Sequence, residues 1–460
     1  MVLAVHSGAP GADRTGSERS LGRNIAFALG NFPLAALTVA IAIYLPRHFA
    51  AHVGISLAAV GSAFALVRII DISVDLLLGL AMDRTRTPVG RYRAWIIAGV
   101  PVLMLATYML FVDTAGMTMT TLVIWLLVLY LGTSILALSH AAWAATLVLR
   151  YEDRSKIFGL IVATGVVGSL MVFLTPVVLA QYGAADAIAV PMMGWIIIAA
   201  TPIAVAIVVL STPERIREDL TEVRFRLSTY WDLVRRPTVW RIVLADFCMS
   251  LGPGWLSATV LFLLIDAKSF SLTEASILLA ISISAGFLGA PLMGRLGARI
   301  SKHRALMVAG FGYAVTLIAL VLTPGGNLAV AVVTMFVMGF FSAAFTALIR
   351  AMAADISDEL RLDQGQERAG LLYAIITLTT KAAGAFSIFL TFQVLAAVGY
   401  DAKAGAANTA DAIFGLEIAS ILGPTIFVLL GAACCTGYSL NAERHEAIRA
   451  ALAKQEAERR

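Results

Sequence analysis

The sequence predicts an all-α membrane protein of twelve transmembrane helices in two six-helix halves. Three observations carry that prediction. Of the 460 residues, 60% are hydrophobic and only 14% charged, against about 25% charged residues in soluble domains. Apolar stretches of about 18 residues or more, enough to cross a hydrocarbon core of about 30 Å, recur along the whole chain. The basic residues gather in alternate short connections, the pattern that sets the orientation of membrane helices.

Taken in order, the spans of the first half (21–210) fall at about 24–45, 57–82, 94–112, 119–148, 157–180 and 188–210. A second half (240–436) holds spans at about 240–265, 272–294, 305–323, 328–350, 370–397 and 412–436. Residues 1–20 are polar and lack the apolar core and cleavage site of a secretory signal, so they read as a disordered cytosolic leader. Residues 211–239 form a cytoplasmic linker expected to hold an amphipathic helix, with Leu227, Tyr230, Trp231 and Val234 on its apolar face. Residues 437–460 read as a charged, solvated tail helix. Of 34 Lys and Arg residues, 29 fall in the leader, the linker, the tail and the connections on their side. Both termini are therefore expected to be cytoplasmic.

The halves echo one another. The turn GLAMDRTRTPVGRYRAW after the second span resembles GAPLMGRLGARISKHRAL after the eighth, and RYEDRSKIFG after the fourth resembles SDELRLDQGQERAG after the tenth. Two parallel halves with matching basic turns are what a transporter built by repetition would show.

Charge inside the spans points to function. Arg68, Asp71 and Asp75 stand three and then four residues apart, so they form one stripe on one helix face. Acids buried in a membrane helix are costly and mark ion or substrate pathways. Lys381 is a further cation within a span. Asp246 precedes the helix-breaking run Leu251-Gly-Pro-Gly-Trp255; it is either an acid paired with Arg241 or a cavity group at an unwound segment. His140, beside Ser139, is either a packing residue or a proton carrier. Gly165, Gly168 and Gly384 are expected to permit close helix packing.

Other functions find no footing. Cys248, Cys434 and Cys435 have neither CxxC nor Cys/His spacing, so no disulfide framework or zinc site is indicated. No G-x-x-x-x-G-K-[ST] stretch supplies an engine for ATP-driven transport. Asp71 and Asp75 lack an oxyanion or water-activating partner, which argues against an enzyme. The basic residues sit in loops that set orientation, which removes a nucleic-acid reading.

Four stretches follow in order along the chain: RIIDISVDLLLGLAMDRTRTPVGRYRAW at span two, AAWAATLVLRYEDRSKIFG leaving span four, ADISDELRLDQGQERAGLLYA before span eleven, and TTKAAGAF within it. Together they resemble the glycoside–pentoside–hexuronide:cation symporters, a branch of the major facilitator superfamily. The resemblance implies the major facilitator fold and a cation-coupling region of Asp71, Asp75 and Lys381, with Arg68 as counter-ion. Asn31, Ser139 and Trp143 fall at its solute-contacting positions, and His140 and Asp246 lie close to the cavity so inferred. Asp83, Arg84, Arg91, Arg93, Arg154, Asp355, Asp358 and Arg368, in the matched turns, are expected to clamp helix ends at a cytoplasmic gate.

The departures from the family pattern shape the expectation. Asn31 and Ser139 stand where sugar-binding members carry acids, and Val162 where they carry a sugar-contacting arginine. Val74 and Leu136 stand where sodium-binding members place an amide and a hydroxyl. Na⁺ wants several oxygen ligands, whereas a proton needs one carboxylate, so H⁺ is the expected coupling ion over Na⁺. The solute that the resemblance implies is a sugar, glycoside or related small organic molecule; the missing charges leave open an amphipathic, lysolipid-like solute, Na⁺-coupled or uncoupled. No cofactor beyond the coupling ion is expected. The expected setting is the cytoplasmic (inner) membrane of a bacterium, as a monomer in contact with lipid and without nucleic acid.

Overall fold

In hydrocarbon a backbone can bond only to itself, and the residues described by the computed structural model contain helices, turns and loops but no strand. Those residues are 21–147, 151–214, 233–364 and 369–458. The first half holds α1 (Leu21–Val53), α2 (Leu57–Arg84), α3 (Tyr92–Phe111), α4 (Met119–Leu147), α5 (Tyr151–Gln181) and α6 (Ala189–Ser211). The second holds α7 (Pro237–Ala267), α8 (Leu272–Ile300), α9 (Lys302–Leu322), α10 (Leu328–Gln364), α11 (Ala369–Ala397) and α12 (Ala410–Cys434), followed by α13 (Ala442–Glu458). Among the described residues, eleven helices are long and apolar enough to cross a membrane. The remaining long helix of the bundle is α2, whose 28 residues carry the charged stripe.

The packing repeats. In the first half α1 lies on α5, α2 on α4, and α3 on both α4 and α6. In the second, α7 lies on α11, α8 on α10, and α9 on both α10 and α12. The halves meet along α2–α11, along α5–α8, and between α1 and α7. Even the caps correspond: Ser56 caps α2 by accepting from the Ala59 N–H, and Ser271 opens α8 in a capping box with Glu274.

The end of the bundle where the basic turns lie will be called the basic end. At the other end, contacts cross between the halves. Tyr44 on α1 bonds Ser276 on α8 at 2.9 Å, and Arg47 lies 3.9 Å from Asp266 at the end of α7. Gln393 on α11 donates to Ser62 on α2 at 3.3 Å, and the Ala404 N–H donates to Ala51.

Three expectations need correction. The Leu251–Trp255 run is not unwound: α7 stays helical through Pro253, and its distortion comes later, as a π-helical turn at Leu263–Ala267. Neighbouring helices re-satisfy what one proline frees in a membrane span. The flanking glycines serve packing instead, since a Cβ on Gly252 would stand 2.5 Å from Val428 and one on Gly254 2.6 Å from Ser387. The tail helix α13 is not simply solvated. It docks on the basic end of α10 through Arg444–Glu359 at 2.9 Å and the buried Ile448. Gly384 packs against nothing within 4 Å of a built Cβ and opens onto a cavity, whereas Gly165 and Gly168 do admit α1, at Asn31 and Phe32. The expected linker helix, with Leu227, Tyr230 and Trp231, lies outside the described residues.

Candidate coupling site and solute cavity

The stripe on α2 and the lysine on α11 meet at the seam between the halves. Asp71 is the hub, its side chain only 1% exposed. Its Oδ2 accepts from Arg68 at 3.1 Å and from Lys381 at 3.3 Å, while its Oδ1 accepts from Ser134 of α4 at 2.9 Å. Lys381 also pairs with Asp75 Oδ2. The other oxygen of Asp75, Oδ1, is buried without a hydrogen-bond partner among the described residues. The Arg68 guanidinium carbon lies over the Tyr130 ring, 4.3 Å from its centre, which helps hold the group in place beside Asp71.

Two acids and two bases make the cluster neutral as drawn together. Removing any one charge would strand another in a low-dielectric setting, which is why the four are interdependent. Ser134 is the member that sequence reasoning missed. It stands two residues before Leu136, the position at which a span-four hydroxyl was sought.

A cavity in three lobes, two of them lined from both halves and one from the first half alone, has Thr38 of α1 in the wall of all three. The largest, about 490 Å³, is walled mainly by α7, α8 and α10. A second of about 380 Å³ lies among α1, α4 and α5, and a third of about 150 Å³ reaches Arg68. The first two volumes suit small-molecule sites, which run from about 300 to 1,000 Å³.

The expected cavity residues divide. Asn31 and His140 line the second lobe. Asn31 donates to the Ile161 carbonyl at 2.9 Å; His140 stacks on Phe27 at 4.4 Å and donates Nε2–H to the Phe27 carbonyl. Ser139 and Trp143 are fully buried and line none of the three lobes; Ser139 turns to Met82 of α2, and Trp143 packs edge-on against Phe27. Turning from one residue to the next along a helix by about 100° puts neighbours on different faces, so a contiguous run cannot all face one cavity. Asp246 is buried one residue behind the cavity wall, accepting from Thr380 at 2.9 Å. It does not pair with Arg241, which caps the end of α12 by donating to Thr436 and Gly437.

The expected gate residues hold helix ends within each half. Arg91 Nε donates to the Met82 carbonyl at 2.9 Å and Arg93 to Val209 at 2.6 Å. Arg84 is exposed at the end of α2. Asp355 pairs with Lys302 and, at 3.3 Å, with His445; Asp358 lies 3.0 Å from the same histidine. The side chains of Asp83 and Arg154, and Arg368 as a whole, lie outside the described residues.

Comparison with known proteins adds to this geometry. A family model described as MFS/sugar transport protein matches residues 26–442. The chain is similar to an uncharacterized symporter, YnaJ, of Bacillus subtilis (strain 168), 23% identical over 441 residues and covering 93% of each chain. It is similar to a glucuronide carrier protein homolog of Escherichia coli (strain K12), 20% identical over 438 residues, 92% of this chain and 91% of that one. Among solved structures it shares its fold with the nucleoside transporter NupG, at a TM-score of 0.67 and 13% identity over 91% of this chain and all of the other.

Proposed function

The chain belongs to the MFS/sugar transport protein family, as an integral protein of the cytoplasmic membrane that transports and is not an enzyme; from that premise we propose proton-coupled symport of a sugar, glycoside or related small organic solute by alternating access. One observation carries the coupling: the unpartnered Oδ1 of Asp75. Among the described residues that oxygen has no hydrogen-bond donor, which leaves an open place for a proton on a carboxylate otherwise held by Lys381. Asp71 offers no such opening, because both its oxygens are already occupied. Ser134 supplies a hydroxyl in α4, yet it is spent on Asp71 and leaves Asp75 the open acid.

Protonating Asp75 removes half of the charge that holds Lys381 against α2. Because that ion pair spans α2 and α11, it joins the two halves, and weakening it biases them towards another access state. All twelve long helices of the bundle cross the membrane in this reading, α2 included, since its charges are matched inside the protein. The basic end faces the cytoplasm. The contacts of Tyr44, Arg47 and Gln393 then close the outer side.

The test is uptake into membrane vesicles. An imposed inward proton gradient should drive accumulation without Na⁺, and a strict Na⁺ requirement would sink the proton assignment. Asp75→Asn should abolish gradient-driven accumulation while solute exchange continues. Accumulation that survives in both Asp75→Asn and Asp71→Asn would remove the coupling role from this stripe.

A further inference from the structure

We infer that the C-terminal side of the central cavity binds an uncharged solute that joins hydroxyl groups to an apolar group, and that it rejects carboxylates. The inference rests on the transport reading for its purpose and goes beyond it in naming the charge and polarity of the solute. Among the described residues lining the 490 Å³ lobe there is no Asp, Glu, Lys or Arg. An anion entering it would give up its water and meet no cation, a cost that a neutral solute does not bear.

What the lobe offers instead is hydroxyl oxygen on an apolar wall. A serine or threonine hydroxyl has one hydrogen to give and two lone pairs to receive with. Of the eight hydroxyl side chains on this wall, four have their hydrogens committed: Thr38 donates to the Leu34 carbonyl at 2.8 Å, Ser257 to Pro253 at 2.9 Å and Ser342 to Gly339 at 3.2 Å. Thr380 gives its hydrogen to Asp246 or to the Ile376 carbonyl. These four therefore face the cavity as acceptors. Acceptors recognise the O–H groups of a polyol and repel a carboxylate, which has no hydrogen to offer when ionised. Leu256, Val260, Ile283 and Phe173 supply apolar surface between them, which suits a solute with one greasy face. Arg68 lies in the adjoining 150 Å³ lobe, but its charge is already matched by Asp71.

The site also touches the coupling cluster. Thr380 lines the lobe, and the next residue, Lys381, holds both acids of α2. A solute bonded at Thr380 thus acts on the turn of α11 that carries the switch.

The experiment is calorimetric titration of the purified full chain in lipid nanodiscs with phenyl β-D-glucopyranoside and, separately, phenyl β-D-glucuronide, at one pH near neutrality. The two probes differ by a carboxylate. The neutral probe should bind at least tenfold more tightly. Thr346→Phe and Ser257→Leu, each filling the lobe from a different helix, should weaken that binding at least tenfold while thermal unfolding without ligand stays unchanged. Thr346 is exposed to the cavity, so its variant should fold even where the second is compromised. Equal or tighter binding of the glucuronide would overturn the inference, as would no binding of the neutral probe, or binding indifferent to a folded filling variant. The transport reading fails by a different result. Neutral glycoside that binds but does not accumulate under a proton gradient would keep this site and remove the coupled uptake.

Discussion

The α2–α11 seam and the α5–α8 seam occupy matching places in the two halves, and their helices pack alike. Aligning the basic turns, Met82 with Met293 and Arg93 with Arg304, sets Arg68, Asp71 and Asp75 of α2 opposite Leu279, Ser282 and Gly286 of α8. The first trio is charged and tied to protein partners. The second is uncharged, and all three residues line the main cavity. One architecture therefore supports two chemistries. Charge buried in a membrane must be answered by the protein itself, so the α2 face is occupied by its own counter-ions. The α8 face has no such obligation and stays open for a solute.

Variants on the two seams should behave differently. Lys381→Ala leaves Asp71 short of a partner and Asp75 bare; breaking a buried pair in this way costs about 3–5 kcal/mol, read as thermal unfolding of the purified protein. Combining it with Asp75→Asn should restore much of that stability. Should Lys381→Ala alone unfold like the parent, the two seams would be energetically equivalent and the contrast would fall. Ser134→Ala removes a hydrogen bond to a charged group and should cost about 1.5–3 kcal/mol by the same measurement. Its counterpart Ser342→Ala, on the neutral wall, loses a bond to a neutral carbonyl and should cost no more than about 1.5 kcal/mol. The smallest effect is expected at the tail. The Arg444 side chain is 54% exposed, so Arg444→Ala should change stability by less than about 1 kcal/mol and leave uptake unaltered.

The stripe was legible because charge is rare in an apolar span and because spacings of three and four residues can mean one helix face. Lys381 stood out for the same reason, though only the fold brings it across to both acids. Ser134 was not legible, since a serine in a membrane helix is common and nothing local says which helix it faces. The same blindness affected Ser139 and Trp143. Their positions in the chain place them near the cavity, but rotation about α4 turns them towards Met82 and Phe27. At Leu251–Trp255 a local rule was overruled by packing, because α11 and α12 lie close enough to keep a proline-bearing stretch helical. The docking of α13 depends on acids at the end of α10 that are far away in sequence.

The carboxylate of Glu214, just past α6, accepts from three consecutive backbone N–H groups at the start of α3: Arg91 at 3.0 Å, Tyr92 at 2.8 Å and Arg93 at 3.1 Å. An anion at a helix N-terminus is favoured both by the free N–H groups and by the helix dipole. Gly90, with φ of 126°, leaves the room this collar needs, because a side chain there would collide with Glu214. The mechanical meaning is stiffness. With α3 and α6 riveted at this joint, and Arg93 gripping Val209 beside it, a force applied at the distant seam is not lost as slippage between these two helices.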